Sequence, residues 1–323
     1  MNKFYKTIAI IVVGCSLIIA APVDCTIGAR AYGFGGAYVA IVNEPSAAYW
    51  NPAALHKIDN ISLMESNWIF QNVDGLNVNY ASLAVPVPYV GTVSGSWLLK
   101  YAKLEEGSEA ITKVASENLV SLSIGRMLWE KLLIFEKTSL GFSINRYTFT
   151  SSSTNGAGIG FDLGFWTAFP YGFSLGITGR NLGADMMGEQ IEPELRFGLG
   201  YIVLIKNMHK ISVAIDGLYY LNRDYLDEQK LTPAKNNLKA FGGLEYALCT
   251  GDWEIAVRGG VNKALYEIIK NYRYSAGCGI KWQAYSLQYA FIGDTESDYS
   301  LGYTHRIDLL VDIGKIIKIA IKK

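Results

Sequence analysis

Apolar and polar residues alternate with a period of two along most of this chain, and this alternation is the feature that most constrains its fold. In residues 253–262, Trp253, Ile255, Val257 and Val261 share one face of an extended strand, while polar or small residues occupy the other face. The same alternation recurs in three further runs, at residues 195–203, 272–282 and 303–312. Runs of this kind predict an all-β chain whose strands each have one apolar and one polar face.

The direction in which the apolar faces point separates two architectures. A soluble β-sandwich turns them inward, whereas a membrane barrel turns them outward, and alternation alone leaves both open. Aromatic residues near the ends of the apolar stripes favour the barrel, because they suit an interfacial girdle. The opposite faces combine glycine with charges of both signs, which is typical of a tightly packed polar lumen. The girdle candidates are Trp253, Tyr272, Trp282 and Tyr303.

The number of strands is also typical of a barrel, since bacterial outer-membrane barrels have an even number. The alternation and turn residues divide the chain into about fourteen strands. We place them at residues 61–71, 76–85, 90–102, 117–128, 138–150, 157–168, 172–183, 194–205, 209–221, 237–249, 253–264, 271–283, 285–293 and 300–312.

The connections between these strands alternate in length, and this is the most discriminating feature. Tight connections fall at residues 86–89, 169–171, 206–208 and 250–252, and longer ones at 103–116, 184–193, 222–236, 265–270 and 294–299. Bacterial outer-membrane barrels have short periplasmic turns and longer outer loops, whereas a sandwich gives no reason for the alternation. Two connections depart from it: residues 72–75 are short for an outer loop, and residues 129–137 are long for a periplasmic turn.

Residues 28–55, GARAYGFGGAYVAIVNEPSAAYWNPAAL, precede the strands and break the alternation. Glycines among small residues suit a backbone packed closely inside other structure, and two prolines prevent a regular ladder or an uninterrupted helix. We therefore predict an N-terminal plug at residues 26–60 and a β-barrel wall at residues 61–313. The residues assigned to the plug are Arg30, Gly33, Gly35, Gly36, Glu44, Pro45, Asn51, Pro52 and Ala53.

Three polar residues of the plug suggest roles. Arg30 could pin the plug by neutralising lumen carboxylates, or it could be a solvated residue near the mature N-terminus. Asn51 could cap a short helix that Pro52 begins. Glu44 could be buried in the lumen beside a basic partner, for which the candidates are Arg180, Arg196 and Arg258. Charges on the polar faces of the strands are predicted to face the lumen: Asp162, Arg180, Arg196, Asp216, Glu245, Arg258, Arg273, Lys281, Arg306 and Asp308.

The first 25 residues resemble a secretory signal. Lys3 and Lys6 precede an apolar run at residues 8–21, which is the order of charged and apolar regions in such signals. Cleavage after Ala20 and cleavage nearer Cys25 are both open. Export is therefore predicted.

Other function classes find little support. The net charge of zero argues against nucleic acid as a partner. The four cysteines form no CxxC pair, and the three histidines are far apart, so neither a metal nor another cofactor is predicted. Residues 172–176, GFSLG, match a nucleophile elbow in letters, but they lie inside a period-two run rather than a strand-turn-helix unit. No enzyme activity is predicted.

Two stretches of the sequence are distinctive: residues 28–55 and residues 274–313, YSAGCGIKWQAYSLQYAFIGDTESDYSLGYTHRIDLLVDI. Both resemble outer-membrane proteins of the FadL superfamily, most closely its PorV/PorQ-like branch. A weaker third match is GRNLG at residues 179–183. Together they bracket nearly the whole mature chain.

The resemblance implies a fourteen-stranded barrel in the outer membrane of a Gram-negative-type bacterium, with its lumen filled by a hatch that contains the turn Asn51-Pro52-Ala53. The function it implies is a channel or transporter for small hydrophobic compounds. The alternative is a PorV-like scaffold that holds exported proteins at the outer surface without transporting small molecules. Outer-membrane lipid is a partner in both cases, with hydrophobic molecules or exported proteins as the others, and the oligomeric state is open.

The chain departs from the transporters of this superfamily in two ways. Its longest outer loops, of about 14–15 residues, are short for a helical cup that catches ligands. Such barrels usually end at an aromatic residue that closes the last strand, whereas this chain continues with a basic and apolar tail, residues 314–323. The tail is interpreted either as an amphipathic segment at the inner membrane-water boundary or as a variant terminus.

Overall fold

A computed structural model of the chain describes residues 27–70, 75–106, 111–151, 154–221, 238–264, 272–294 and 304–321. The predicted signal sequence and much of the predicted outer loops lie outside these residues. So do Tyr303 and the last two residues of the tail.

Sixteen strands form in the described part of the chain, and fourteen of them make a closed antiparallel barrel. The barrel strands are β1 (Ser62–Phe70), β2 (Leu76–Val87), β3 (Gly91–Glu106), β4 (Ile111–Leu132), β5 (Phe135–Ser151), β6 (Asn155–Ala168), β7 (Phe173–Leu182), β10 (Glu194–Ile205), β11 (His209–Tyr220), β12 (Leu238–Thr250), β13 (Trp253–Ala264), β14 (Tyr272–Trp282), β15 (Tyr285–Asp294) and β16 (Thr304–Asp312). Each pairs with the next in the chain, and β1 pairs with β16 to close the wall. A small hairpin, β8 (Asp185–Met186) and β9 (Glu189–Gln190), interrupts the series between β7 and β10. The predicted fourteen-stranded barrel is confirmed.

The apolar stripes face outward. On β13, Ile255 and Val257 are 49% and 56% exposed, whereas their neighbours Ala256 and Arg258 are 2% and 7% exposed. A sandwich would bury the first pair and expose the second. The outer surface is therefore the lipid-facing surface of a membrane barrel, and the polar faces line its lumen.

One end of the barrel carries only short turns, at residues 88–90, 133–134, 169–172, 206–208, 251–252 and 283–284, and is called the turn end. The opposite end is called the loop end. The prediction of a long turn at 129–137 is wrong, because β4 and β5 extend until two residues separate them. Residues 126–134 are exposed on both faces, so this stretch lacks the one-sided alternation by which a strand is recognised in sequence.

Residues 27–58, called the lumen segment, are almost entirely buried. They contain three short helices: α1 (Ala29–Gly33), α2 (Ala47–Trp50) and the 3-10 helix η1 (Pro52–Lys57). Helix α1 packs against β13 to β16, and η1 packs against β3 to β6 across the barrel. Because the barrel is closed and the segment contacts strands on opposite sides of it, the segment lies inside the barrel.

Two further helices lie at the turn end, η2 (Pro170–Gly172) and α3 (Ile313–Ile321), the second directly following β16. None of the described helices is both long and apolar enough to cross a membrane.

Candidate functional site

The first half of the lumen segment is held by charged side chains. The Arg30 guanidinium forms two hydrogen bonds with Glu245 on β12, from Nη2 to Oε1 at 3.0 Å and from Nε to Oε2 at 3.1 Å. Arg258 on β13 donates to the same Oε2 at 2.5 Å. Glu245 has no solvent exposure, so one buried carboxylate lies between two arginines, of which one belongs to the segment and one to the wall.

A second carboxylate binds the backbone of the segment. Oδ2 of Asp216 on β11 accepts hydrogen bonds from the backbone N–H groups of Tyr38, at 2.8 Å, and Val39, at 3.1 Å. Arg196 on β10 donates from Nε to the same oxygen at 3.1 Å and also donates to the carbonyl of Gly36. Charged side chains thus satisfy backbone groups that a non-ladder segment would otherwise leave unpaired.

The closing strand β16 contributes a third contact. The Asp308 carboxylate accepts a hydrogen bond from the backbone N–H of Ala29, at the first residue of α1. The Arg306 guanidinium lies against the rings of Tyr32 and Trp68, 3.1 and 3.3 Å from their centroids. Residues 29–39 are therefore tied to charged residues on several different strands.

Helix η1, in the second half of the segment, packs against small residues. Helix α2 before it still contacts charge, since the Arg180 guanidinium lies 3.8 Å from the centroid of the Tyr49 ring. A Cβ added to Gly125, Gly141 or Gly164 would come within about 2.1 to 2.3 Å of residues 51–53, so only glycine leaves room for η1 at these positions. The Ser82 hydroxyl on β2 donates to the carbonyl of Pro45 at 3.0 Å. This side of the wall makes close contact with the segment through uncharged groups.

Asn51 joins the two halves of the segment to each other and to the wall. Its Oδ1 accepts from the backbone N–H of Ala53 at 3.1 Å, as an N-cap residue does, and Pro52 occupies the first position of η1. Its Nδ2 donates to the carbonyls of Val39, at 3.2 Å, and Phe165 on β6, at 3.0 Å. The fully buried amide is thus bonded on both its oxygen and its nitrogen.

Burial also lowers the pKa values of two side chains at the end of η1. Desolvation lowers the pKa of Lys57, whose Nζ donates to the carbonyls of Val42, at 3.0 Å, and Ala40, at 3.3 Å. Desolvation likewise lowers the pKa of His56 to about 4, and its ring lies 4.9 Å from that of Trp166. The imidazole is therefore neutral at pH 7.

Glu44 is buried, and its carboxylate accepts a hydrogen bond from the Ser46 hydroxyl at 2.9 Å. The three arginines considered as its partners pair with other carboxylates. Arg196 and Arg258 pair as described above, and Arg180 donates from Nη1 to Glu194 at 2.7 Å.

The remaining predicted lumen charges lie elsewhere. Asp162 accepts a hydrogen bond from the backbone N–H of Asn181 at 2.9 Å, next to the hairpin rather than the segment. Arg273 and Lys281 are exposed near the two ends of β14.

An apolar layer lines the lumen toward the loop end. Buried side chains from many strands form it: Trp68, Val78, Tyr80, Leu98, Leu119, Tyr147, Phe149, Leu218, Tyr220, Phe241 and Ile292. This layer was not predicted from the sequence, although aromatic residues near the loop ends of the polar strand faces were its signal. We call these residues the upper apolar layer.

The β8–β9 hairpin covers part of this layer. Ala184 and Ile191, which flank the hairpin, are buried in the same hydrophobic cluster as the layer. Glycines on the inner face of β6 allow the close approach, since a Cβ on Gly158 would lie 2.0 Å from the carbonyl oxygen of Asp185. The predicted outer loop 184–193 thus folds into the barrel mouth.

Fourteen antiparallel strands, an apolar outer surface and a buried N-terminal segment define a membrane β-barrel with a filled lumen. No protein-family model matches the chain, and no curated protein matches its sequence.

Solved structures match the fold over most of its length. A FadL homologue from Pseudomonas aeruginosa has a TM-score of 0.51 and 11% identity, covering 88% of this chain and 98% of its own. The CymD monoaromatic hydrocarbon channel has a TM-score of 0.56 and 10% identity, covering 91% of this chain and 97% of its own. The toluene transporter TodX from Pseudomonas putida has a TM-score of 0.54 and 11% identity, covering 88% and 96%.

These three neighbours are a FadL homologue, a channel and a transporter, and none is named as an enzyme. Ser174, at the centre of GFSLG, lies on β7 and donates its hydroxyl to the carbonyl of Ala40 at 3.2 Å. It therefore has a structural contact within the lumen. Within the residues that the structure covers, no three His, Cys, Asp or Glu side chains converge as a metal site would require.

Proposed function

We propose that this protein is an outer-membrane channel for small hydrophobic compounds, with residues 26–60 acting as its hatch. The observation that carries the proposal is the upper apolar layer, which lies between the loop end and the lumen segment. Pockets for small apolar ligands are lined mainly by apolar and aromatic side chains. The neighbours named as a monoaromatic hydrocarbon channel and a toluene transporter support the same function by analogy of fold.

Passage would require the hatch to move, because the lumen segment fills the barrel below the apolar layer. The two halves of the segment differ in how they are held. Residues 29–39 are bonded to buried charges, whereas η1 (Pro52–Lys57) packs against glycines and makes fewer polar contacts with the wall. We therefore propose that the first half is the fixed anchor and that η1 is the part displaced when a molecule passes.

An open cleft lies where a molecule would leave. It has a volume of about 540 Å³ at the turn end and is lined by residues that include His56, Asp59, Tyr89 and Arg126. Displacement of η1 would connect this cleft with the lumen. The cleft is the proposed exit on the periplasmic side.

Uptake of a radiolabelled monoaromatic hydrocarbon, toluene, by cells that express the protein in their outer membrane tests the proposal. Expression is expected to raise the initial rate of uptake above that of non-expressing cells. Leu119→Asn places an amide in the apolar layer and should lower the rate several-fold. Glu130→Gln, an exposed site on the same strand, is the matched control. Uptake equal to that of non-expressing cells would refute the channel.

The second candidate is the PorV-like scaffold. A scaffold of this kind needs no path through the barrel, so its lumen would be sealed. The observation that favours it is the anchoring of the lumen segment on several strands through buried charges. A pull-down from native membranes in mild detergent separates the candidates. A co-purifying exported protein, together with no hydrocarbon uptake, would support the scaffold.

A further inference from the structure

The C-terminal helix α3 (Ile313–Ile321) continues directly from the last barrel strand at the turn end. The preceding residue, Asp312, begins it, because its Oδ1 accepts a hydrogen bond from the backbone N–H of Lys315 at 2.7 Å in the manner of an N-cap. At about 3.6 residues per turn, the sequence IGKIIKIAI places Lys315 and Lys318 on one side, with Ile319 at its edge. The other side carries Ile313, Ile316, Ile317 and Ile321. The helix is therefore amphipathic.

The lysine side is tied to the rim of the barrel. Lys318 Nζ donates to Oδ1 of Asn60 at 2.6 Å, and Lys315 Nζ donates to the carbonyl of Gln283 at 3.2 Å. The backbone N–H of Gly314 also donates to the carbonyl of Ile61 at 3.2 Å. These contacts fix the orientation of the helix, and they turn its isoleucine side away from the rim.

The isoleucine side is only partly covered within the described chain, where Ile313 and Ile316 are half-buried. Ile317 is 49% exposed and Ile321 is 79% exposed, and no residue of α3 is buried. Exposure of two large apolar side chains on one face of a short helix to water is unfavourable and indicates an interaction surface.

The start of α3 can be placed relative to an aromatic row on the outer surface of the barrel. Trp253, Trp282 and Tyr285 stack in a row on the outer surface at the turn end, with centroids 5.8 and 6.4 Å apart. Such aromatic girdles mark the membrane-water boundary. The ladder pairs Tyr285 with Val311, and α3 begins two residues later, about 7 Å further along the chain. The helix thus starts at the level of the lipid headgroups.

We propose that α3 is an interfacial anchor that lies in the membrane leaflet at the turn end. Its isoleucine side is immersed at the headgroup-acyl boundary, continuous with the lipid-facing side chains of β16. Its lysines, beyond the contacts with the rim, attract anionic phospholipid headgroups, and the helix contains no acidic residue that would oppose them. Because the anchor requires only that the barrel be in a membrane, it is independent of transport.

Site-specific fluorescence on the full chain tests this anchor. In a background with the four cysteines replaced by alanine, Ile317→Cys and Lys318→Cys are each labelled with an environment-sensitive nitrobenzoxadiazole dye. The labelled barrels are reconstituted into vesicles of phosphatidylcholine, with or without phosphatidylglycerol. A heat-dependent shift in gel mobility selects folded protein for each variant.

The label at 317 is expected to be blue-shifted, quenched at least twofold more by spin-labelled lipids than the label at 318, and protected from iodide. Phosphatidylglycerol should strengthen that quenching, and Lys315→Gln with Lys318→Gln, combined with the label at 317, should abolish the strengthening. Equal iodide quenching at both sites would overturn the anchor and place the helix in water. Protection from iodide without quenching by spin-labelled lipids would overturn it and show that the isoleucine side packs against protein, as in a contact with a second copy of this chain. Quenching that does not depend on lipid charge or on the lysines would overturn the recognition of anionic headgroups.

Discussion

Arg30 of the lumen segment and Glu245 of the barrel wall are joined by two hydrogen bonds of 3.0 and 3.1 Å, and the carboxylate is fully buried. Arg258 shares the same carboxylate, so two cations depend on one anion. Removing the charge of Glu245 therefore leaves the guanidinium groups of Arg30 and Arg258 buried without the carboxylate that neutralises them.

We expect Glu245→Gln to loosen the segment and to lower the free energy of unfolding by about 3–5 kcal/mol, which is typical of a broken buried ion pair. In planar bilayers the variant should conduct more current than the wild type. Glu254→Gln is the matched control, since Glu254 pairs with Lys210 near the turn end. Wild-type conductance and stability for Glu245→Gln would contradict the role of this ion pair as an anchor.

Neighbouring glycines on β13 provide a second test. A Cβ on Gly260 would lie 2.0 Å from the backbone nitrogen of Gly35, whereas a Cβ on Gly259 meets nothing within 4 Å. Gly260→Ala should displace the lumen segment and raise the conductance of the folded barrel. Gly259→Ala, on the lipid-facing side, should behave like the wild type. If the two variants are indistinguishable in bilayer recordings, the packing of the segment against β13 is not what closes the lumen.

Asn51 allows its cap to be separated from its amide contacts. Asn51→Ala removes all three hydrogen bonds of the side chain and should destabilise the protein by about 1–3 kcal/mol. Asn51→Ser keeps an N-cap acceptor but cannot reach both carbonyls, so it should recover only part of the loss. Urea midpoints of the folded barrel measure the difference. Full recovery by serine would show that the contacts with Val39 and Phe165 contribute little.

The pKa of His56 predicts how stability depends on pH. The unfolded chain binds this proton near pH ~6.5, whereas burial lowers the pKa to about 4 in the folded protein. Between these values the unfolded chain holds more protons, so the free energy of unfolding falls as pH falls. The contribution of the neutral His56 imidazole to the free energy of unfolding is fully present above about pH 6.5 and is lost as pH decreases through about 4. Urea midpoints should therefore decrease less between pH 7 and 4.5 in His56→Gln than in the wild type. Parallel decreases would contradict the lowered pKa.

The wall could be predicted from the sequence because each strand has one face in lipid and one in the lumen. Residues 194–205 and 253–264 were delimited correctly for this reason. The prediction failed where the two faces of a strand no longer differ in environment. This is the case at residues 126–134, at the turn between β4 and β5, where both faces are exposed.

The partners inside the lumen could not be predicted in the same way. Arg30 and Glu245 are 215 residues apart in sequence, and their contact depends on how the segment lies against a closed wall. The upper apolar layer was missed for a related reason. Each of many strands contributes only a few of its residues. On each strand they lie on a face that is otherwise polar.

The central claim is that the lumen segment closes the barrel, and planar-bilayer conductance of a variant lacking residues 28–55 tests it most directly. A heat-dependent shift in gel mobility establishes first that the remaining barrel is folded. We predict that the variant opens large, stable conductance steps that the intact protein lacks. A folded barrel with unchanged conductance would contradict the claim.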